Sequence, residues 1–297
     1  METPLRRIRD ETAISDLYHE NSKIRRGDPE LPTRILAATI LSHTLTASDE
    51  PCKRYDISRT IKLPESTRRA GPSFDGVVLS RRSRRDFGGE SVNIAALSKI
   101  LHFAGGITGY LRGEVGRSQT IRSCPSAGAL YPCEIYVAAV HVAEVPSGVY
   151  HYNPIDDRLE NLVLTSASSL GCALSRITYI DELVNCAFAA IVSIIPARNR
   201  FKYGERSYRF SLIEVGHIAQ NLLLTATALG LPALPIGGFV DDELDDLIGV
   251  DGVEELGIYL VAVGCPARRR KDDRRVSRHV APPSEPRLPI RGERAAP

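Results

Sequence analysis

At 297 residues, with 43% apolar and 25% charged residues, the chain has ordinary globular composition and room for one large or two small domains. A net charge of +2 argues against general nucleic-acid binding, no apolar run is long enough to span a membrane, and the opening METPLRRIRDE lacks a hydrophobic signal core, so a cytoplasmic protein is expected. Six cysteines, scattered without a CxxC or a nearby histidine pair, point to buried free thiols and not to zinc or a disulfide framework.

Residues 1–70 are charged and proline-punctuated, with helices expected around Ile14 to Ser22 and Thr33 to Thr44, and read as an appended segment. Composition shifts at Gly71-Pro72, after which Val77-Val78-Leu79 leads into Arg81, Arg82, Ser83, Arg84, Arg85, Asp86 and Phe87. That run supplies charge-assisted donors for a phosphate or polyol, or else forms a solvated basic turn. A short helix from Asn93 has apolar residues at Ile94, Leu97, Ile100 and Leu101 and ends at Gly105-Gly106. A loop rich in glycine and polar residues follows, and then Pro125-Ser126-Ala127-Gly128-Ala129-Leu130-Tyr131-Pro132, small residues that let a flat ligand approach backbone or simply turn the chain into a strand at Glu134 to Val140. Gly148 to Asn153 reads as a strand and Asp156 to Glu160 as its hairpin continuation, with His151 a structural strand histidine.

Thr165 to Leu174 is expected to be helical, and Cys186 to Ile195 to be a buried strand that delivers the chain to Arg198 and Lys202. Lys202 and Tyr203 stand beside Gly204 among Arg200, Arg206 and Arg209, a crowd of cations in which a lysine sheds its proton more readily. Such a pair suits acid–base work, although a solvated lysine beside a packing tyrosine is the plainer alternative. A long buried helix then runs from a capping box at Ser211 and Glu214 to the stop at Gly230 and Pro232, carrying Leu212, Val215, Ile218, Ala219, Leu222, Leu223, Ala226 and Leu229. On it Glu214, His217 and Asn221 are spaced as a polar stripe for a dimer interface, and His217 is not expected to be catalytic. Gly237 and Gly238 offer exposed backbone amides, Asp241 to Ile248 forms a short acidic helix, and Gly257 to Gly264 a last strand before a basic, proline-rich tail expected to be disordered or draped on a partner.

Taken together, RRSRRDF at Arg81 to Phe87, PSAGALYP at Pro125 to Pro132, the GVYHYNP strand, and KYGERSYRF ahead of GHIAQNLLLTATALGL resemble the nitroreductase-like flavoproteins, and among them the SagB-type azoline dehydrogenases. The run from Asp16 to Lys23 is similar to one found in that subgroup.

This resemblance implies an α+β fold with a mixed, largely antiparallel sheet flanked by helices, an interlocked homodimer, and FMN at the subunit interface. It implies an extension over residues 1–70, a flavin domain over 71–275 and a tail over 276–297. Carried over, Arg81, Arg82, Ser83 and Arg85 match positions that bind flavin phosphate, ribityl chain and ring edge. Pro125, Ser126, Ala127, Gly128 and Leu130 match the partner subunit's loop near the ring, Gly237 and Gly238 the backbone donors near flavin N5, and Arg275 a phosphate ligand. Ala129 stands where many simple nitroreductases have asparagine, so that side-chain hydrogen bond is missing. Lys202 and Tyr203 match the pair that azoline dehydrogenases use during oxidation. The implied activity is oxidation of thiazoline or oxazoline rings in a peptide, with a cyclodehydratase complex as partner; an NAD(P)H-dependent nitro- or quinone reductase and an idle scaffold subunit are the alternatives.

Overall fold

A computed structural model describes residues 13–23, 52–55, 57, 59–65, 71–112 and 118–267. The helix expected at Thr33 to Thr44, Arg275 and the tail lie outside the described residues. Among the described residues, no helix is long and apolar enough to cross a membrane.

The protein is α+β. Its strands are β1 (Thr60–Lys62), β2 (Ile107–Arg112), β3 (Ser118–Arg122), β4 (Cys133–Ala139), β5 (Gly148–Asn153), β6 (Arg158–Leu164), β7 (Phe188–Ile194), β8 (Ala233–Ile236) and β9 (Leu256–Val263). Its helices are α1 (Ile14–Asn21), α2 (Phe74–Ser80), α3 (Ile94–Gly105), α4 (Ala167–Thr178), α5 (Ala197–Tyr203), α6 (Arg206–Ala228) and α7 (Asp241–Ile248). Seven strands form one sheet in the order β1-β6-β5-β4-β7-β9-β8, each neighbouring pair antiparallel, while β2 and β3 form a separate hairpin. A parallel bridge between Ser83 and Ala233 lays the arginine run along β8.

Every residue of β4 and β7 is buried, because helices cover both faces of the sheet, and this is why the two strands, apart from Glu134 and Ser193, read as apolar throughout instead of alternating. Ile135, Val137, Ala190 and Val192 face the layer made by α3 and α6; Tyr136, Ala138, Ala189 and Ile191 face that of α4 and α7. Burying each large side chain here stabilises the fold by about 1.5–3 kcal/mol. Thr60–Lys62, within the segment that reads as appended, pairs with β6 as the sheet's outer strand. The glycine-rich stretch after α3 reads as a loop but forms the β2–β3 hairpin; with Gly109 and scattered polar residues it carries little strand signal of its own.

The long helix begins five residues before the expected capping box. Ser211 lies inside α6, fully buried, with its hydroxyl donating to the Ser207 carbonyl at 3.1 Å and accepting from Asn199 Nδ2 at 3.0 Å. Arg206 to Phe210 stay helical because the break comes earlier, at Gly204, whose φ of 55° ends α5. At the far end the expected stop holds: Leu231 N–H donates to Ala226 O at 2.9 Å and Gly230 N–H to Thr227 O at 3.0 Å, with Gly230 left-handed at φ 72°.

Candidate functional site

Three segments converge at one end of the sheet. β8 runs parallel to β7 by way of their shared antiparallel neighbour β9, so Gly237–Gly238 after β8 and α5 after β7 leave from the same end. β4 is antiparallel to β7 and begins opposite its last residue, Cys133 with Ile194, so the Ser126–Leu130 loop enters there too.

That loop and the lysine–tyrosine pair meet directly. A Cβ built on Gly128, whose φ is 64°, would lie 2.6 Å from the Tyr203 hydroxyl and 3.0 Å from Lys202 Nζ. Glycine is thus favoured twice over, by the left-handed backbone and by the two side-chain tips that occupy the space. Lys202 and Tyr203 are half-buried in the last turn of α5, not on an irregular loop, and Tyr203 stacks edge-on against Phe210 at 5.0 Å. Burial raises the Tyr203 phenol above its usual range. Gly128→Ala is expected to cost about 1 kcal/mol from the positive φ and to push the two mobile side-chain tips outward. The check is a denaturation midpoint together with the rate of amine acylation at Lys202, which should rise.

The loop is closed on itself. Ser126 Oγ accepts Tyr131 N–H at 2.9 Å and Ser126 O accepts Ala129 N–H at 3.0 Å. Beneath it lies Glu214, buried and with neither carboxyl oxygen seated in a good hydrogen bond, although Ser126 and Cys133 stand close enough to favour its charged form. Burial dominates and pushes this carboxyl up to about 7, against Ser126, Arg122 and Cys133. Along α6 Glu214 is buried, Asn221 half-buried and His217 exposed.

The arginine run forms an exposed shelf along β8. Arg84 N–H donates to Ala233 O at 2.9 Å, and the Arg84 guanidinium is taken up by Asp86, 2.6 Å away. Among the described residues no carboxylate pairs with Arg81, Arg82 or Arg85, and Ser83, Gly237 and Gly238 are exposed nearby along the same edge strand. A Cβ on Gly238 would meet nothing within 4 Å. Arg82 Nη1 donates to the Leu79 and Arg81 carbonyls at 2.9 and 2.7 Å, so guanidiniums without a carboxylate partner, a hydroxyl and open glycine backbone on one edge fit a ligand that joins a phosphate to a flat ring.

Two of the three arginines flanking the pair are engaged elsewhere. Arg206 donates to Ser22 O at 3.0 Å and Arg209 to His19 O at 2.6 Å, capping the carbonyl end of α1, while the Tyr18 hydroxyl donates to Glu205 O at 3.2 Å.

A buried polar row crosses the sheet behind the site. His151 on β5 donates from Nδ1 to Glu160 at 2.9 Å and from Nε2 to Glu134 at 3.0 Å, all three essentially inaccessible. Two carboxylate acceptors leave no place for a neutral ring, and although burial opposes the charge, these bonds raise the imidazole above its usual range. Burial also opposes ionisation of Glu134, but Arg198 and then His151 overcome it and hold the carboxyl at about 2. Glu160 is likewise held at about 2, against its burial, by His151, Asn153 and Arg158. Neither Glu134 nor Arg198 stands out as a site residue in the sequence; the available signal was one ionisable residue inside each of three predominantly apolar segments, at Glu134, His151 and Glu160.

A family model described as Nitroreductase family matches residues 78–265. A protein of Methanocaldococcus jannaschii named as a nitroreductase is 35% identical over 194 residues, 64% of this chain and 90% of that protein. The microcin B17-processing protein McbC of Escherichia coli is 32% identical over 134 residues, 44% of this chain and 49% of McbC, so the likeness spans about half of that relative. Among solved structures, one named as a nitroreductase of Anabaena variabilis superposes with a TM-score of 0.65 at 25% identity, over 85% of this chain and 46% of that one.

Proposed function

This chain belongs to the nitroreductase family, and we propose that within it the protein is an FMN-dependent azoline dehydrogenase of the SagB type, which oxidises thiazoline or oxazoline rings in a peptide to the aromatic azoles. The observation that carries the reading is the meeting of the Lys202 amine and the Tyr203 hydroxyl over Gly128. The likeness to a protein named for processing microcin B17 supports a peptide substrate.

Arg81, Arg82, Ser83 and Arg85 would hold the phosphate, ribityl chain and ring edge of FMN, with Gly237 and Gly238 presenting backbone to the ring. FMN, when bound, would supply a two-electron acceptor for the hydride equivalent. Aromatisation removes one hydride equivalent and one proton from the azoline. Lys202 takes the proton from the acidic ring carbon, and Tyr203, with its phenol kept protonated by burial, donates a hydrogen bond beside it. Dioxygen is the final electron acceptor.

The site is completed by a second copy of the chain. On α6 Leu212 and Ile213 are exposed, and on the adjoining α2 Phe74 and Leu79 are about three-quarters exposed, an apolar surface that a homodimer interface would cover. The pairing would bring the partner's Ser126–Leu130 loop to the arginine shelf. A cyclodehydratase complex that makes the azoline is the further partner.

The test loads the protein with FMN, measures its mass by light scattering, and mixes it without oxygen with an azoline peptide. A yellow dimer whose flavin absorbance bleaches is the expected result. Bleaching by NAD(P)H alone would instead favour the nitro- or quinone reductase that the archaeal relative's name suggests, and a protein inert to both would be a scaffold subunit.

A further inference from the structure

We propose that Arg198 is a positioning residue, a single guanidinium that ties the loop carrying Gly128 to the helix carrying Lys202 and Tyr203 and so sets the spacing of the candidate site. The proposal concerns the same site as the dehydrogenase reading, and its catalytic consequence rests on that reading.

Arg198 and Lys202 are four residues apart on α5 and share a face of the helix. Arg198 Nη1 donates to the Tyr131 carbonyl at 3.0 Å and to Glu134 Oε1 at 2.6 Å. Tyr131 is the residue whose N–H closes the loop on Ser126, and Gly128 sits within that closed turn. One nitrogen thus grips the end of the loop, and its own helix carries the two side chains that meet the loop at Gly128.

The loop needs such a grip. Ala129 and Tyr131 both have left-handed backbone, with φ of 51° and 46°, a conformation that costs side-chain-bearing residues roughly 1–3 kcal/mol each and persists where surrounding contacts over-determine it. The Tyr131 hydroxyl, accepting Arg122 N–H at 3.0 Å, and the Arg198 bond to the Tyr131 carbonyl are contacts of that kind.

Arg198 is itself held in place. Glu134 also accepts the Lys53 N–H at 2.6 Å and the His151 ring N–H, so the guanidinium is referred to β4 and β5 and not merely to a mobile side chain. Glu134 is 1% exposed and the Arg198 side chain 20%, so solvent screens the pair little.

Arg198→Gln and Arg198→Lys test the idea, read first by amide hydrogen exchange on the full chain without flavin. Arg198→Gln removes both the charge and the reach of the guanidinium, whereas Arg198→Lys keeps a charge for Glu134 on a side chain one bond shorter. In Arg198→Gln the amides of Ala129, Tyr131 and Gly204 should exchange about tenfold faster or more, with those of β4 and β7 unchanged, and Arg198→Lys should fall between that variant and wild type. Single-turnover flavin bleaching by the azoline peptide should slow by about tenfold to a hundredfold, the effect expected of misplacing reacting groups by about 1 Å, at an unchanged half-saturating peptide concentration. Loop exchange at the wild-type rate in the folded Arg198→Gln protein, or in Arg198→Lys should the glutamine variant not fold, would overturn the proposal. Faster exchange with an unchanged bleaching rate would also overturn it, since the spacing would then not matter to chemistry. If wild type is never bleached by the peptide, the dehydrogenase reading fails, while the exchange result still decides whether Arg198 ties the loop.

Discussion

Replacing Lys202 by alanine is expected to leave FMN binding and the dimer intact and to slow azoline oxidation by about a hundredfold to ten-thousandfold, the usual cost of removing a general base. The amine lies at the end of α5, pressed over Gly128, while the proposed flavin-holding cations lie along β8, so the substitution removes a base without touching the shelf. Tyr203→Phe should cost less, because the ring still stacks edge-on against Phe210 and only the hydroxyl is lost. A nitroaromatic reduced by NAD(P)H presents no carbon acid, so that reaction should be nearly indifferent to Lys202→Ala. The assay is anaerobic single-turnover bleaching across pH with wild type and both variants. Bleaching of Lys202→Ala at the wild-type rate would remove the lysine from the mechanism.

His151→Gln is expected to destabilise the fold by about 3 kcal/mol, toward the lower end of the cost of breaking a buried ion pair because Arg198 and Arg158 still balance Glu134 and Glu160. Glu134 and Glu160 approach the imidazolium from opposite sides at 3.0 and 2.9 Å, and without it two buried carboxylates face one another. Guanidinium denaturation of both proteins at the same mildly acidic pH measures the loss; a difference below about 1 kcal/mol, the range of an exposed pair, would mean that the row carries no net charge balance.

The same groups fix the sign of the pH dependence. Glu134 and Glu160 fall from the ordinary 4.5 to about 2, so their contribution is complete above 4.5 and is lost as pH falls from there toward 2. His151 is raised above 6.5, so its contribution is complete below 6.5 and is lost as pH rises through the folded value. Glu214 is raised from 4.5 to about 7 and adds a penalty that accrues between those values. The wild-type optimum should therefore lie on the acidic side of neutrality, and His151→Gln should lack the component of loss that begins above 6.5.

The sequence by itself determined the elements whose signal is local. The predominantly apolar, non-alternating runs of β4 and β7 announce strands covered on both faces, the spacing from Val215 to Ala226 announces the inner face of α6, and Gly230 announces its end. The shelf residues and the lysine–tyrosine pair also stand out, because runs of arginine and a lysine beside tyrosine and glycine are unusual in composition alone. The start of α6 was not legible, since Ser211 and Glu214 satisfy a capping pattern while their side chains are claimed by Ser207, Asn199 and the interior. The β2–β3 hairpin escaped because its stability comes from pairing and not from propensity.

Only the tertiary structure decided what the site residues do to one another. Gly128 and Tyr203 are 75 positions apart, and nothing in either neighbourhood tells that a hydroxyl fills the place of a Cβ. Arg198 reaches Tyr131 across 67 positions and Glu134 beside it, and His151 finds its two carboxylates only once β4, β5 and β6 are in register. Periodicity reports which side of an element is buried; it does not report which buried charges will face each other, because that depends on strand order and register, which are set by packing between distant segments.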